Sequence, residues 1–216
     1  NTIEKLMYKK FEDNMIQVFD DFISLDYQEK IKNTLIGGTD SKNKHHESEF
    51  PWYFIEDVTA SGDDGNQKRS AFSHQYVVLP DDEPVIGPGI EVSDFHSLFL
   101  PLLQRAAMKL GLPKIDVYQG RSFLQFPLKN IDTSEVDSPH VDIDDFRHFV
   151  VLYYVCDSDG DTIIYNEKQY GLEKYTEKHR VSPKQGRCVI FDGTQMHTAE
   201  QPINSNIRCV VNYNLN

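Results

Sequence analysis

The chain has 216 residues, of which 39% are hydrophobic and 26% are charged, and its formal net charge is −12. This length and composition fit one globular domain with a core of its own. The acidic balance argues against nucleic acid as a partner, because affinity for phosphates comes from Lys and Arg and no basic run here exceeds two residues. It also disfavours an anionic membrane surface, and no segment approaches the roughly 20 apolar residues of a membrane helix.

The cysteines are Cys156, Cys188 and Cys209. Their number is odd, none forms a CxxC pair, and each lies in an apolar run that reads as a strand. The pattern favours buried thiols in a reducing compartment, and therefore a cytoplasmic location, over a disulfide or a zinc site.

The first half of the sequence carries the helical signals. Apolar residues recur at a four-residue spacing: Tyr27, Ile31 and Leu35. The spacing predicts a helix over residues 26–36, capped by Ser24 and ended by Gly37. A second helix is predicted over residues 93–111, where Pro101 either kinks it or begins its second half.

From about residue 115 the pattern changes to short β-runs separated by turn residues. Strands are predicted near residues 116–126, 138–142, 147–155, 161–166, 186–193 and 207–215. Such a series predicts an antiparallel jelly roll with the helices packed outside one sheet, which is a mainly β fold with flanking N-terminal helices (α+β). We expect a single domain over residues 1–216, with helical support and loops in 1–113 and the jelly-roll core in 114–216.

One histidine–acid motif has the sequence context of a metal site. His140 and Asp142 are two residues apart, so on a strand both side chains point to the same side. His197 follows on a later predicted strand, after the turn of GRCVIFDGTQMH. Two histidines and one carboxylate leave coordination positions open, as in non-haem Fe(II) oxygenases, whereas a structural zinc site needs a fourth ligand. The similar motif formed by His45 and Glu47 lies in a polar loop with nothing convergent after it.

A charged residue in the last strand suggests the second ligand of this site. Arg208 shares its side of an apolar strand with Val210, Asn212 and Asn214. A guanidinium among apolar neighbours requires an anion, and it binds a carboxylate in a bidentate fork. A dicarboxylate that chelates the metal with one end supplies that anion with the other.

These motifs occur in the order of a known family: HVD, FVVLYYV, DGDT, SPKQGRCVIFDG, MH and finally Arg208. Residues 115–216 resemble the prolyl-4-hydroxylase-like branch of the 2-oxoglutarate/Fe(II) dioxygenases, and MIQVFDDFISLDYQEKIKNTLIG resembles the strand and helix that open that branch. The resemblance implies a double-stranded β-helix and iron held by His140, Asp142 and His197. It also implies 2-oxoglutarate held by Arg208, O2 as co-substrate, and ascorbate as a candidate reductant.

The same resemblance assigns two further residues to the co-substrate. A tyrosine in the strand after the H-x-D motif often contacts the far carboxylate, which points to Tyr154, since Tyr153 faces the other side. Asn212, on the same side of its strand as Arg208, is expected to line this pocket.

The chain also departs from the family pattern. Phe126 stands where the family often has a tyrosine, and the family's Gly-Gly-Glu-Thr turn reads Asp-Gly-Asp-Thr over residues 159–162. Nucleic-acid demethylases of the superfamily carry a second arginine where this chain has Asn214, which argues against base demethylation.

The predicted function is hydroxylation of a C–H bond in a peptidyl substrate, prolyl included, or in a small-molecule substrate, with release of succinate and CO2. A non-catalytic jelly-roll module that binds or supports other molecules is the alternative, ahead of a nucleic-acid demethylase. The sequence favours no oligomeric state. Arg121 and Arg147 are predicted to flank the mouth of the site as solvated charges or as substrate contacts, and the polar segments 37–50 and 58–70 are hypothesised to include a lid.

Overall fold

The structure is a computed structural model, which describes residues 15–39, 45–58, 68–80, 87–129, 132 and 137–216. In these residues it contains two α-helices, a 3-10 helix and thirteen strands. No helix among the described residues is long and apolar enough to cross a membrane.

The helices lie where the apolar spacing placed them. Helix α1 spans Leu25–Ile36. Ser24 precedes it, but the side chain forms no cap, because it faces solvent while its backbone carbonyl accepts the first N–H groups of the helix. A 3-10 helix, Asp94–Phe99, leads into helix α2, Leu100–Leu110, so the predicted second helix does divide near Pro101. Gly111 ends α2 with a left-handed φ of 63°.

The thirteen strands form three antiparallel sheets. Their bounds are β1 Ile16–Phe19, β2 Gly38–Thr39, β3 His45–His46, β4 Tyr53–Ile55, β5 Ala71–Val78, β6 Ile90–Glu91, β7 Val117–Gln125, β8 Phe149–Tyr154, β9 Thr162–Tyr165, β10 Glu177–Val181, β11 Cys188–Asp192, β12 His197–Ala199 and β13 Arg208–Leu215. The large sheet has the order β1-β11-β8-β13-β7-β5-β4, with β6 beside β5. A second sheet has the order β10-β9-β12, and β2 pairs with β3.

The large sheet lies between the helices and the second sheet. Alternate residues of β8 show this, since Val151 and Tyr153 pack in the cluster that contains α1 and α2 side chains. Leu152 and Tyr154 point the other way and pack against Ile164 of the second sheet. Two facing antiparallel sheets with helices outside one of them are the predicted jelly-roll architecture, and the prediction is confirmed.

Three parts of the topology differ from expectation. The predicted strand at 138–142 is reduced to one bridge between His140 and His197, because the chain bends away directly after it. Strand β5 went unpredicted because its sequence mixes polar and apolar side chains that are nearly all covered. The largely exposed strand β10 at the edge of the second sheet was missed as well, because its sequence EKHRV has no apolar alternation.

The prediction of buried thiols is confirmed. All three cysteines are buried and unpaired. Trp52 packs its ring edge-on against Phe50 and donates from Nε1 to the Leu35 carbonyl at 3.0 Å, so it ties β4 to the end of α1.

Candidate metal and co-substrate site

A cavity of about 510 Å³ lies between the two sheets and contains the predicted metal ligands. Its wall includes apolar side chains of β7, β8, β11 and β13, with charged groups at its two ends. His140, Asp142 and His197 line one end, and Arg208 lines the other. The volume is in the range of small-molecule sites.

The backbone brings the two histidines together. His140 and His197 exchange both backbone hydrogen bonds, N–H to O, at 3.0 and 2.9 Å. Asp142 lies between their rings, with Nε2 of His140 3.9 Å from Oδ1 and Nε2 of His197 3.8 Å from Oδ2. One ligand atom from each residue lies within 4.8 Å of the others. The H-x-D motif and the distant histidine therefore converge on one point.

The second ring nitrogen of each histidine fixes its orientation. Nδ1 of His140 is 3.1 Å from the Ser138 carbonyl, and Nδ1 of His197 is 3.1 Å from the Gln195 carbonyl. A carbonyl can only accept, so each Nδ1 carries the proton and donates it. Each Nε2 is left with a lone pair directed toward the shared point, which is the tautomer that a metal ligand needs.

The groups around the site keep the Asp142 carboxylate ionised and lower the pKa of His197. Burial alone raises the pKa of Asp142, but the nearby charges of Arg121 and the two histidines hold it well below its usual range. Arg121 donates to Oδ1 at 2.6 Å and Asn212 donates to Oδ2 at 2.9 Å. Burial, followed by the charge of His140, lowers the pKa of His197 to about 4. Two imidazoles and one carboxylate fit Fe(II) as a ligand set.

At the far end of the cavity, Arg208 is fixed by three hydrogen bonds. It donates from Nε to the Gly160 carbonyl at 2.7 Å, from one terminal nitrogen to Gln125 at 2.7 Å, and from the other to Thr162 at 2.9 Å. All three acceptors are uncharged, and among the described residues no carboxylate forms an ion pair with it. Arg208 is 3% exposed, and burial lowers its pKa. A fixed positive charge in this position favours an anionic ligand in the cavity.

Strand register sets the order in which side chains line the cavity from Arg208 to the metal triad. Arg208 lies opposite Gln125, Val210 opposite Phe123, and Asn212 opposite Arg121. Four residues of extended chain separate Arg208 from Asn212, so their Cα atoms lie about 13 Å apart. Polar pairs therefore flank an apolar layer, and this arrangement suits a short ligand with an anionic group at each end and methylenes between.

Tyr154 faces this side of the sheet, as the alternation predicted, but its hydroxyl does not reach the cavity wall. It is fully buried and donates to Thr162 Oγ1 at 2.7 Å, and burial raises its pKa to about 12. Thr162 does line the cavity. Its oxygen accepts from both Tyr154 and Arg208, so its own proton remains available to another acceptor. Asn212 lines the cavity at the metal end, where it contacts Asp142.

The Asp-Gly-Asp-Thr turn of residues 159–162 packs against the Arg208 side chain. A side chain at Gly160 would place its Cβ 2.9 Å from Cδ of Arg208, so the turn needs glycine for the guanidinium stem to pass. Asp159 accepts three backbone N–H groups from residues 203–205, which holds the loop that leads into β13.

Phe126 does not face the cavity. It packs against Phe72 on the side of the helices, and its neighbour Gln125 makes the polar contact with Arg208. Because alternate residues of β7 face the cavity, Gln125 could have been chosen from the strand period once the strand's register was known.

The structure separates the two arginines predicted at the mouth. Arg121 lines the cavity, whereas Arg147 pairs with Asp192 at 3.2 Å outside it. Of the two segments hypothesised to form a lid, residues 40–44 and 59–67 lie outside the described residues. In the segment 37–50, β2 and β3 form a hairpin, and none of its described residues lines the cavity. In the segment 58–70, Val58 lines the cavity.

One buried ion pair in the cavity wall was not predicted. Asp137 lies 2.9 Å from Nε of Arg69, and both side chains are buried. Burial raises the pKa of Asp137 to about 6, although the charges of Arg69 and Arg208 oppose the shift. Asp137 comes three residues before His140 in SEVDSPHVD, and nothing in that polar run distinguishes it from the solvated acids around it.

Solved structures with the same architecture identify the fold. An oxidoreductase of the 2OG-Fe(II) oxygenase family from Burkholderia pseudomallei aligns with 100% of this chain and 91% of its own, with a TM-score of 0.63 and 10% identity. A prolyl-4-hydroxylase from Pseudomonas putida aligns over 97% of both chains, with a TM-score of 0.52 and 15% identity. The fold is that of the 2-oxoglutarate/Fe(II) oxygenases.

A third structure with this fold catalyses a different type of reaction. The non-haem α-ketoglutarate-dependent epimerase SnoN of nogalamycin biosynthesis aligns with 100% of this chain and 82% of its own, with a TM-score of 0.57 and 10% identity. No protein-family model and no curated protein sequence matches the chain. At these identities the likeness establishes the fold, and the reaction has to be argued from the site.

Proposed function

We propose that the protein is an Fe(II)- and 2-oxoglutarate-dependent dioxygenase that hydroxylates a C–H bond and releases succinate and CO2. His140, Asp142 and His197 would hold the metal, which supplies the oxidising chemistry when it is bound together with O2. Arg208 would bind the far carboxylate of 2-oxoglutarate, with Thr162 beside it.

A single observation carries this proposal: the metal triad and an anion-seeking buried arginine lie at opposite ends of one cavity. The triad alone fits several metal enzymes. Arg208, with uncharged hydrogen-bond partners and a position four residues along β13 from the Asn212 that contacts Asp142, adds the requirement for a second anionic group. A co-substrate with a carboxylate at each end meets both requirements.

The protein's other contributions are positioning and shielding. The Nδ1 donors of the two histidines fix the ligand rings, and Arg121 and Asn212 hold the Asp142 carboxylate in one orientation. The apolar side chains of Val150, Leu152 and Val210 cover the space between the two ends, which limits access of water to the reacting groups.

The retained ligand set also separates this proposal from the non-catalytic alternative. A binding module would not need neutral Nε2 lone pairs converging with a carboxylate on one point, nor a guanidinium facing the same cavity. The substrate classes proposed are a peptidyl residue, prolyl included, and a small molecule.

The test is binding followed by turnover. The anaerobically purified protein should bind one Fe(II) per chain, and calorimetry should then show one 2-oxoglutarate bound. In air, succinate should form faster when the correct peptide or metabolite pool is added. Binding of both ligands without succinate in any pool would favour the non-catalytic module, and failure to bind either ligand would contradict the proposal.

A further inference from the structure

Six charged side chains of the described residues line the cavity: Asp57, Arg121, Asp137, Asp142, Asp144 and Arg208. Four of them have a role within the wall or the proposed site. Asp57 accepts the backbone N–H of Arg69 at 3.2 Å and Asp137 pairs with the Arg69 side chain at 2.9 Å. Asp142 belongs to the triad, and Arg208 faces the co-substrate end. One cation, Arg121, and one anion, Asp144, are left without a full complement of partners.

Arg121 uses only part of its hydrogen-bonding capacity. One terminal nitrogen donates to Asp142 at 2.6 Å, and Nε is buried without a partner. Its second terminal nitrogen donates to none of the described residues, and the side chain is 28% exposed where it lines the cavity. The guanidinium therefore presents free N–H groups beside the metal triad, at the end of the cavity opposite Arg208.

Asp144 lies on the same segment, two residues after Asp142, and is exposed. Among the described residues its side chain accepts one hydrogen bond, a long one of 3.4 Å from the Tyr170 hydroxyl. The same hydroxyl accepts from the backbone N–H of Val141 at 3.2 Å, which places Tyr170 and Asp144 beside the H-x-D motif. The mouth of the cavity thus carries a carboxylate that is available to a cationic group.

We infer that the substrate oxidised at this site is a free α-amino acid, whose carboxylate binds Arg121 and whose ammonium group binds near Asp144. This inference rests on the proposed function. A neutral peptide segment that covered the mouth would desolvate the N–H groups of Arg121 that Asp142 does not bind, without providing a carboxylate to accept from them. A purely anionic substrate would satisfy Arg121 but meet Asp144 as a like charge. A zwitterion satisfies both residues at once.

The experiment compares three matched pools of probes: the L-α-amino acids found in proteins, their primary amides, which lack the carboxylate, and their N-acetyl derivatives, which lack the ammonium group. Ligand-observed NMR measures binding to the full chain loaded with 2-oxoglutarate and with Zn(II) in place of Fe(II), so that no turnover occurs. At least one amino acid should bind, and its amide and N-acetyl forms should each bind about 10-fold more weakly or worse.

Variants then assign the effect to the two side chains. Arg121→Gln and Asp144→Asn should each weaken the amino acid about 10-fold. Asp144→Asn is the cleaner variant, because Asp144 touches no proposed metal ligand. Arg147→Gln removes an arginine that is paired with Asp192 outside the cavity, and it should leave binding unchanged.

The inference is overturned if no amino acid binds the unaltered protein, if the amides and N-acetyl forms bind equally well, or if both variants retain full affinity. Failure of the proposed function is read separately, because it would appear as loss of metal or 2-oxoglutarate binding in the unaltered protein before any probe is added.

Discussion

The two ends of the cavity each present a guanidinium, and the two groups are held very differently. Arg208 is 3% exposed and is fixed by hydrogen bonds to three parts of the chain. Arg121 is 28% exposed, lies over the Phe123 ring, and makes one hydrogen bond within the described part of the chain, to Asp142. The deep end is rigid before any ligand arrives, which suits a co-substrate that is the same in every turnover. The mouth retains freedom to adjust, as expected where the substrate differs between enzymes of one fold.

The largest effect should follow from removing the metal ligands, because the proposed reaction needs the metal. In the double variant His140→Ala/His197→Ala we expect loss of Fe(II) binding and of all succinate formation, because only Asp142 remains as a ligand. The fold should persist, since among the described residues the hydrogen bonds of both histidine side chains go to carbonyls two residues away. Metal content and circular dichroism measure the two outcomes.

His179→Ala is the matched control, because this histidine is exposed on β10. Full metal occupancy in the double variant would show that the metal binds elsewhere.

The next largest effect tests the rigid end alone. Arg208→Ala should weaken 2-oxoglutarate by about 2–4 kcal/mol, because a buried carboxylate loses a bidentate charged partner. Arg208→Lys should be intermediate, since lysine keeps the charge and loses the fork. Calorimetry on metal-saturated protein measures both, with Arg121→Gln as the comparison at the mouth. Equal losses in Arg208→Ala and Arg121→Gln would remove the distinction between the two ends.

Sequence alone was sufficient for the residues whose chemistry depends on short spacings. His140 and Asp142 are two residues apart, and Arg208 stands out as a charge in an apolar strand, so each could be chosen without tertiary information. The face of Tyr154 followed from strand alternation for the same reason. The jelly roll followed from the density of short strands.

Contacts that depend on strand register could not be predicted in this way. Arg121 reaches Asp142 because β7 and β13 pair it opposite Asn212, and one residue of slip would turn it toward the helices. Tyr154 stops short of the cavity because Thr162, from the other sheet, stands between its hydroxyl and that space. The Arg69–Asp137 pair joins segments 68 residues apart in sequence, and no local pattern marks either partner.

A pH titration of the metal-free protein should show how His197, at the metal end of the cavity, contributes to the free energy of unfolding. The pKa of His197 falls from 6.5 to about 4 on folding. Between these values the unfolded chain binds a proton that the folded chain does not, so this group lowers the free energy of unfolding as pH falls from 6.5 to 4. The loss amounts to about 3 kcal/mol. Urea unfolding at several pH values should show it.

The raised pKa of Asp137 acts in the opposite direction over part of this window, so the comparison must be made between proteins. The His197→Asn variant should lose the contribution of His197 and keep that of Asp137. Identical slopes of unfolding free energy against pH in the two proteins would contradict the assignment.

The smallest effect concerns whether Tyr154 acts on 2-oxoglutarate directly or through Thr162. Tyr154→Phe removes one buried hydrogen bond, of 2.7 Å, and should weaken 2-oxoglutarate by about 0.5–1.5 kcal/mol while leaving metal affinity unchanged. If the hydroxyl only orients Thr162, the same change made in a Thr162→Val protein should cost nothing further, since the group that it orients is gone. Calorimetry on the four proteins of this cycle gives the coupling. An undiminished loss in the Thr162→Val background would mean that Tyr154 contacts the co-substrate itself, and that the deep end rearranges when 2-oxoglutarate binds.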